Sequence, residues 1–165
     1  GVDLFINKKI NNLSIWGSYS YQDINYEFRT LQSKSFTNNY NLNHSFNLGV
    51  AYTVKNFKMA TGFKWHTGKP TTNPVFGNEI INDVINYEPA NASNLPDYFR
   101  WDFSLTHNFK IKETINIQTG LSLWNISDKR NAINKYYRFT DVNFPEEVIQ
   151  NSLEFVPNLV FKVTF

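Results

Sequence analysis

His44, His66 and His107 carry the widest chemistry in this sequence, since imidazole can ligate a metal, move a proton or switch charge near neutral pH. None has a second ligand at metal-binding spacing, so they read as solvated or hydrogen-bonded histidines. His66 stands two residues from Lys64, and in an extended segment the two share a face. Arg100 and Asp102 have the same relation and can pair with each other or with neighbouring strands. With no nucleophile or base beside them, they read as a charge network rather than as catalytic groups. Glu79, Asp83, Glu88 and Asp97 share one stretch but lack the Asp-x-Asp-x-Asp-Gly spacing of a calcium loop, and their plain role is to solvate it. There is no cysteine, which removes thiolate nucleophiles, zinc-thiolate sites and disulfide scaffolds. A lone Ser122 or His66 does not assemble nucleophile, base and oxyanion donors, so the sequence points to no enzyme, no metal site and no cofactor.

The elements that must position these residues are strands. Period-two segments are expected at about Val2–Lys8, Leu13–Phe28, His44–Val54, Phe57–Thr67, Phe99–Phe109, Thr114–Ile126 and Asn158–Phe165. In each, one face is apolar, as in Phe46, Leu48, Val50, Tyr52 and Val54, or Trp101, Phe103, Leu105 and Phe109. The other face carries amides, hydroxyls and charges, among them Ser45, Asn47, Thr53, Lys64, His66, Arg100 and Asp102. Tyr52, Trp65, Trp101 and Phe103 suit an aromatic girdle at a lipid–water boundary, and His107 falls on the apolar face near one end. Trp16 is a girdle candidate by type, yet alternation sends it and Trp124 to the wet face. There they can stack on a sugar or aromatic ligand, or fill space against another part of the protein. Pro145-Glu-Glu-Val-Ile-Gln150 reads as a short helix, with proline in its first turn and acids at its N-terminus.

Composition agrees with strands that are greasy on one side only. The 165 residues are 17% aromatic and 18% charged, with 15 Phe, 9 Tyr and 4 Trp. Mean hydropathy is nevertheless only −0.43. No apolar run approaches the roughly 18 to 20 residues a membrane-spanning helix needs, but most segments are near the roughly 9 to 11 residues of a tilted transmembrane strand. Net charge is +2, with 16 basic and 14 acidic residues that read as interspersed, so no nucleic-acid footprint is expected.

Connections alternate in length. Tight turns are expected at Lys9–Asn12, Lys55–Asn56 and Lys110–Glu113, and long excursions at about Arg29–Asn43, Gly68–Tyr98 and Ser127–Pro157. Outer-membrane barrels pair short periplasmic turns with long extracellular loops, and both sets fit one topology with a periplasmic C-terminus. Long loops of this kind are where ligand contacts are sought. Single-chain barrels have even strand counts of at least eight, so these segments are expected to be part of a larger barrel whose remainder lies upstream. The opening Gly-Val-Asp lies inside a strand, with neither signal peptide nor initiator methionine.

Ser18-Tyr-Ser20, Asn43-His44, His66-Thr-Gly-Lys-Pro70, Leu95-Pro-Asp-Tyr-Phe-Arg-Trp-Asp102, Gly120-Leu-Ser-Leu-Trp-Asn125 with Lys129-Arg-Asn131, and the ending Pro157 to Phe165 come in one order along nearly the whole chain. Together with the opening Gly1-Val-Asp3 they resemble the C-terminal barrel of TonB-dependent outer-membrane receptors of the Bacteroidetes type. The resemblance implies an all-β transmembrane barrel segment in the outer membrane of a Gram-negative bacterium, part of a barrel of roughly 22 strands. It implies import of a scarce nutrient, powered by the inner-membrane proton gradient through the TonB complex acting on an N-terminal plug that this chain lacks. It makes outer-membrane lipid, the barrel-assembly machinery and a surface lipoprotein candidate partners, and leaves the ligand open between siderophore, glycan, peptide and vitamin. By resemblance Phe161, Val163 and Phe165 belong to the terminal signal read in barrel assembly. Trp16, Lys64, His66, Arg100, Asp102 and Trp124 are the candidates for lining the lumen or the ligand path. The competing readings are a barrel without energy coupling, as porin or adhesin, and a soluble β-sandwich carbohydrate-binding module.

Overall fold

Side-chain alternation constrains the architecture, because a strand whose odd and even residues differ in polarity cannot slip by one residue against its neighbour without mixing the faces of the sheet. In the computed structural model, which describes residues 1–28, 30, 34–111, 114–139 and 144–165, that register is kept across a seven-stranded antiparallel sheet. The chain opens with the hairpin of β1 (Val2–Ile10) and β2 (Leu13–Tyr21), and its first loop carries the two-residue strands β3 (Asn25–Tyr26) and β4 (Phe36–Thr37). The next hairpin is β5 (His44–Val54) and β6 (Phe57–His66). The second loop holds β7 (Pro70–Thr71), β8 (Ile80–Ile81), β9 (Val84–Ile85) and β10 (Ser93–Asn94). Then come β11 (Tyr98–Ile111) and β12 (Ile115–Trp124), a third loop with β13 (Ala132–Phe139) and β14 (Pro145–Asn151), and last β15 (Val156–Thr164).

The large sheet runs β1-β2-β5-β6-β11-β12-β15, every neighbour antiparallel. The register gathers Ile6, Gly17, Leu48, Phe63 and Trp101 into one cross-strand row and Leu105, Leu121 and Leu159 into another, so most apolar side chains of the seven strands share a face, with Phe5, Trp16, Trp124 and Val160 on the other. Nothing described covers that face. Leu4 is 61% exposed and Phe161 72%, and among the described residues only Leu95 and Ile117 are buried hydrophobics. The sheet does not close: β1 bonds only to β2 and β15 only to β12.

The expected strands are present with shifted ends. β2 stops at Tyr21, earlier than the Phe28 expected, because the Ile24 N–H turns aside to Asn41 Oδ1 at 3.0 Å and Asn25–Tyr26 pair with Phe36–Thr37. The helix expected at residues 145–150 is a strand instead. Glu146 and Glu147 do not cap a helix there; Arg138 Nε donates to Glu146 at 2.8 Å and Tyr137 donates to Glu147 at 2.9 Å, the partners lying directly opposite in the β13–β14 ladder. The short connections hold at Asn11–Asn12 and Lys55–Asn56, where Asn11 and Lys55 take left-handed φ of 50°. The third expected turn and parts of the first and third long loops, at residues 112–113, 29, 31–33 and 140–143, lie outside the described residues.

Candidate functional site

The three stretches richest in singled-out residues end side by side where β6, β11 and β12 enter the loops. Gly68 N donates to Asp97 Oδ1 at 3.1 Å, and Lys129 Nζ donates to the Asp97 carbonyl at 2.7 Å. A Cβ on Gly68 would collide with the Leu95 carbonyl, so only glycine lets these two backbones approach. Asn131 is almost fully buried and acts as a substitute strand: its Oδ1 accepts from Phe99 N and its Nδ2 donates to Phe99 O, both at 2.8 Å. Asn125, 1% exposed, donates from Nδ2 to the Lys129 and Leu153 carbonyls at 3.0 and 3.2 Å and accepts from Ser127. Unpaired buried groups are costly, and these amides remove that cost where the ladder ends.

Arg100 and Asp102 do pair, with Nε 2.8 Å from Oδ1. The same Oδ1 accepts from Asn125 N at 2.9 Å, and the Arg100 guanidinium lies 5.2 Å from the centre of the Trp124 ring. This engagement ties Arg100, Asp102 and Trp124 to the rim of the loop layer. Lys64 and His66 flank one ring: His66 stacks on Tyr98 at 4.8 Å, and Lys64 Nζ sits 5.8 Å from the same centroid. His44 and His107 lie on the apolar face. Tyr19 bonds His44 Nδ1 at 2.8 Å, while His107 is sandwiched between Phe57 and Phe109 at 4.2 and 5.2 Å. The structure therefore does not bring the three histidines together.

On the polar face Trp16, Gly49, Gly62 and Asp102 form one cross-strand row. The Trp16 indole lies across Gly49, where any Cβ would strike it, and over Gly62 the space is open. Trp16 and Trp124 remain 45% and 40% exposed and wall a groove of about 280 Å³ floored by Gly49, Ala60 and Gly62. The four carboxylates of the second loop are dispersed: Glu79 accepts from Gly77 N, Glu88 from Ser93 Oγ and Asp97 from Gly68 N, whereas Asp83 sits in a left-handed turn at φ 62°.

Sequence reasoning missed the larger concavity of the loop layer. The ribbons β7–β10 and β13–β14 meet through Lys135 Nζ and Tyr137 Oη, 2.6 and 3.1 Å from Asn73 Oδ1, and through Tyr87 packed edge-on to Tyr137. Together with the first loop they enclose a cleft of about 480 Å³ that Lys69, Lys135, Tyr40, Tyr136 and Asn91 help to line. Among the described residues no Asp or Glu lines it. Burial, and after it the hydrogen bond and charge of Glu147, push the Tyr137 phenol up to about 12, so it stays neutral at physiological pH. The available signal was the unusual length of the loops, which marks where a site lies but not which residues meet. No protein-family model matches the chain, and neither a curated protein nor a solved structure matches it.

Proposed function

We propose that this chain is the C-terminal part of the barrel of a TonB-dependent outer-membrane transporter that imports a scarce nutrient. The observation that carries the reading is the uncovered apolar face. Seven strands about 4.8 Å apart, each roughly 30 Å long, make a face on the order of 1,000 Å². That exceeds the few hundred Å² a soluble monomer leaves exposed, so this face needs lipid or a second sheet. No described strand packs on that face, which supports lipid as its cover. In lipid the unpaired edges of β1 and β15 would cost several kcal/mol per group, which favours their continuation into further strands.

In this reading the apolar face meets outer-membrane lipid and the polar face lines the lumen. The loop cleft receives the nutrient first, and the groove between Trp16 and Trp124 lies further along its path or against the plug. Phe161 and Val163, on the apolar face of β15, and the terminal Phe165 serve barrel assembly. The resemblance, not the geometry, supplies the TonB coupling that separates this reading from a passive porin or an adhesin.

The test is made on the native polypeptide. It should be recovered from an outer-membrane fraction with heat-modifiable electrophoretic mobility and an intact mass several times that of these residues. Nutrient uptake should stop when the inner-membrane proton gradient is collapsed. Uptake or adhesion that survives the collapse would contradict energy coupling, and a soluble native product would contradict the barrel.

A further inference from the structure

Three ion pairs of the chain, Arg100–Asp102, Arg130–Glu154 and Arg138–Glu146, close to 2.8 or 2.9 Å, whereas Lys135 Nζ stands 3.7 Å from Glu147 Oε2. Its nearer partner is a neutral amide, Asn73 Oδ1 at 2.6 Å, brought in from 62 residues away. The Lys135 side chain is only 13% exposed, and its Nζ lies 5.6 Å from the centre of the Tyr137 ring. Unlike a guanidinium, an ammonium can give up a proton and become a nucleophile. One C=O bond, about 1.23 Å, separates Oδ1 from Asn73 Cγ, so that carbon lies within about 3.8 Å of Nζ, close to the roughly 3–3.5 Å of a near-attack geometry. The surrounding groups are those that amide exchange needs. Alternation along β13 puts Lys135 and Tyr137 on one face, and the register sets Glu147 of β14 opposite Tyr137. Tyr137 Oη lies 3.1 Å from Asn73 Oδ1 and 2.9 Å from Glu147 Oε2, so its one proton can turn to either oxygen. Asn73 Nδ2 donates to Ser93 Oγ at 3.0 Å, which fixes the amide plane, and Ser93 Oγ donates to Glu88. Pro74 follows Asn73 and has no N–H, so the backbone attack that commonly consumes an asparagine side chain is blocked here.

We propose that Lys135 and Asn73 form an intramolecular isopeptide bond that ties the second loop to the third. Glu147 takes a proton from the Lys135 ammonium, and the freed lone pair attacks Asn73 Cγ. The carbonyl π pair moves onto Oδ1, where the Tyr137 proton, no longer held by the neutralised Glu147, meets the oxyanion. On collapse the C=O bond re-forms, the Glu147 proton passes to Nδ2, and the Cγ–Nδ2 bond breaks to release ammonia. The surplus proton on Nζ leaves through Glu147 to the ammonia, so ammonium departs, the carboxylate is restored and nothing is oxidised or reduced. In residues without cysteine the bond supplies the covalent tie between loops that a disulfide would otherwise give. It needs only the contact between these two loops, so it stands or falls apart from the reading of the apolar face.

The experiment is tryptic mapping by mass spectrometry of the native polypeptide, recovered from whichever cell fraction holds it. Expected is one branched fragment in which residues 65–100 are joined to residues 131–138, lighter than the two together by one ammonia, because trypsin no longer cuts after Lys135. Free fragments 65–100 and 131–135 with the Asn73 amide intact would overturn the proposal, and so would loss of ammonia without the join. K135R keeps the cation but cannot form the bond, and it should give the separate fragments alone. In E147Q the branched fragment should form about a hundredfold more slowly after synthesis. Formation at the unsubstituted rate in E147Q would overturn the role given to Glu147.

Discussion

At the loop end of the sheet nearly every polar group has a partner drawn from the chain itself: Asn131 closes on Phe99, Asn125 on Lys129 and Leu153, Asp102 on Arg100 and Asn125, and Asp97 on Gly68. At the turn end Lys8, Lys9, Lys55, Lys58, Lys110 and Lys162 stand without an ion partner among the described residues. The loop end is finished by local contacts, so its shape is a property of these residues alone. The turn end and the apolar face have no such partners among the described residues, which is what the proposed barrel reading expects of them.

The most forceful way to break this contrast is to charge the face said to meet lipid. Leu48→Arg, at the middle of β5, should destabilise the lipid-inserted protein by about 2–4 kcal/mol, whereas Asn47→Arg on the polar face should cost little. Urea unfolding from lipid vesicles measures both, and equal effects would erase the distinction between the faces. Next in size is Asn131→Ala. It strands the Phe99 N–H and C=O, at about 1–3 kcal/mol per orphaned buried group, and should appear as faster proteolysis of the third loop with the sheet retained. Gly68→Ala forces Lys69 and Leu95 apart and should cost about 1–3 kcal/mol, read as loss of the same loop protection.

Smaller still is a titration. Because the folded Tyr137 phenol is raised from about 10 to about 12, the hairpin it joins is fully favoured below about pH 10 and loses that contribution as pH rises toward 12. Phenolate absorbance should show a Tyr137 component, lost in Tyr137→Phe, that titrates near pH 12, and Glu147→Gln should lower it. Smallest is Glu146→Gln. Arg138 holds this carboxyl below its usual range by hydrogen bond and charge, but both groups are exposed, so stability above pH 5 should not change measurably.

The seven long strands and their faces were legible because a half-wet strand writes its geometry into every second residue, as Phe46 to Val54 does. Arg100 and Asp102 were legible for the same reason. What was not legible was non-periodic or non-local. Pro145-Glu-Glu fits a helix start until Arg138 and Tyr137 stand opposite it in β13, and only pairing across the intervening turn reveals that. Asn41, Asn125 and Asn131 bond backbone rather than follow the period-two pattern, so periodicity did not mark their role, and Asn125 and Asn131 stood out only as members of the stretches that carry the resemblance. The lysine band was hidden because its members lie far apart in sequence and meet only when the turns are brought to one side.

The central claim is that one face of this sheet meets lipid and the other does not. The chain has no cysteine, so nitroxide labels can be placed singly by cysteine substitution along β5 at Asn47, Leu48, Val50, Ala51, Tyr52 and Thr53. In proteoliposomes, relaxation by oxygen dissolved in the bilayer should peak at Leu48, Val50 and Tyr52, and relaxation by a water-soluble nickel chelate at Asn47, Ala51 and Thr53. A profile without period two, or nickel access at Leu48 and Val50, would contradict the account.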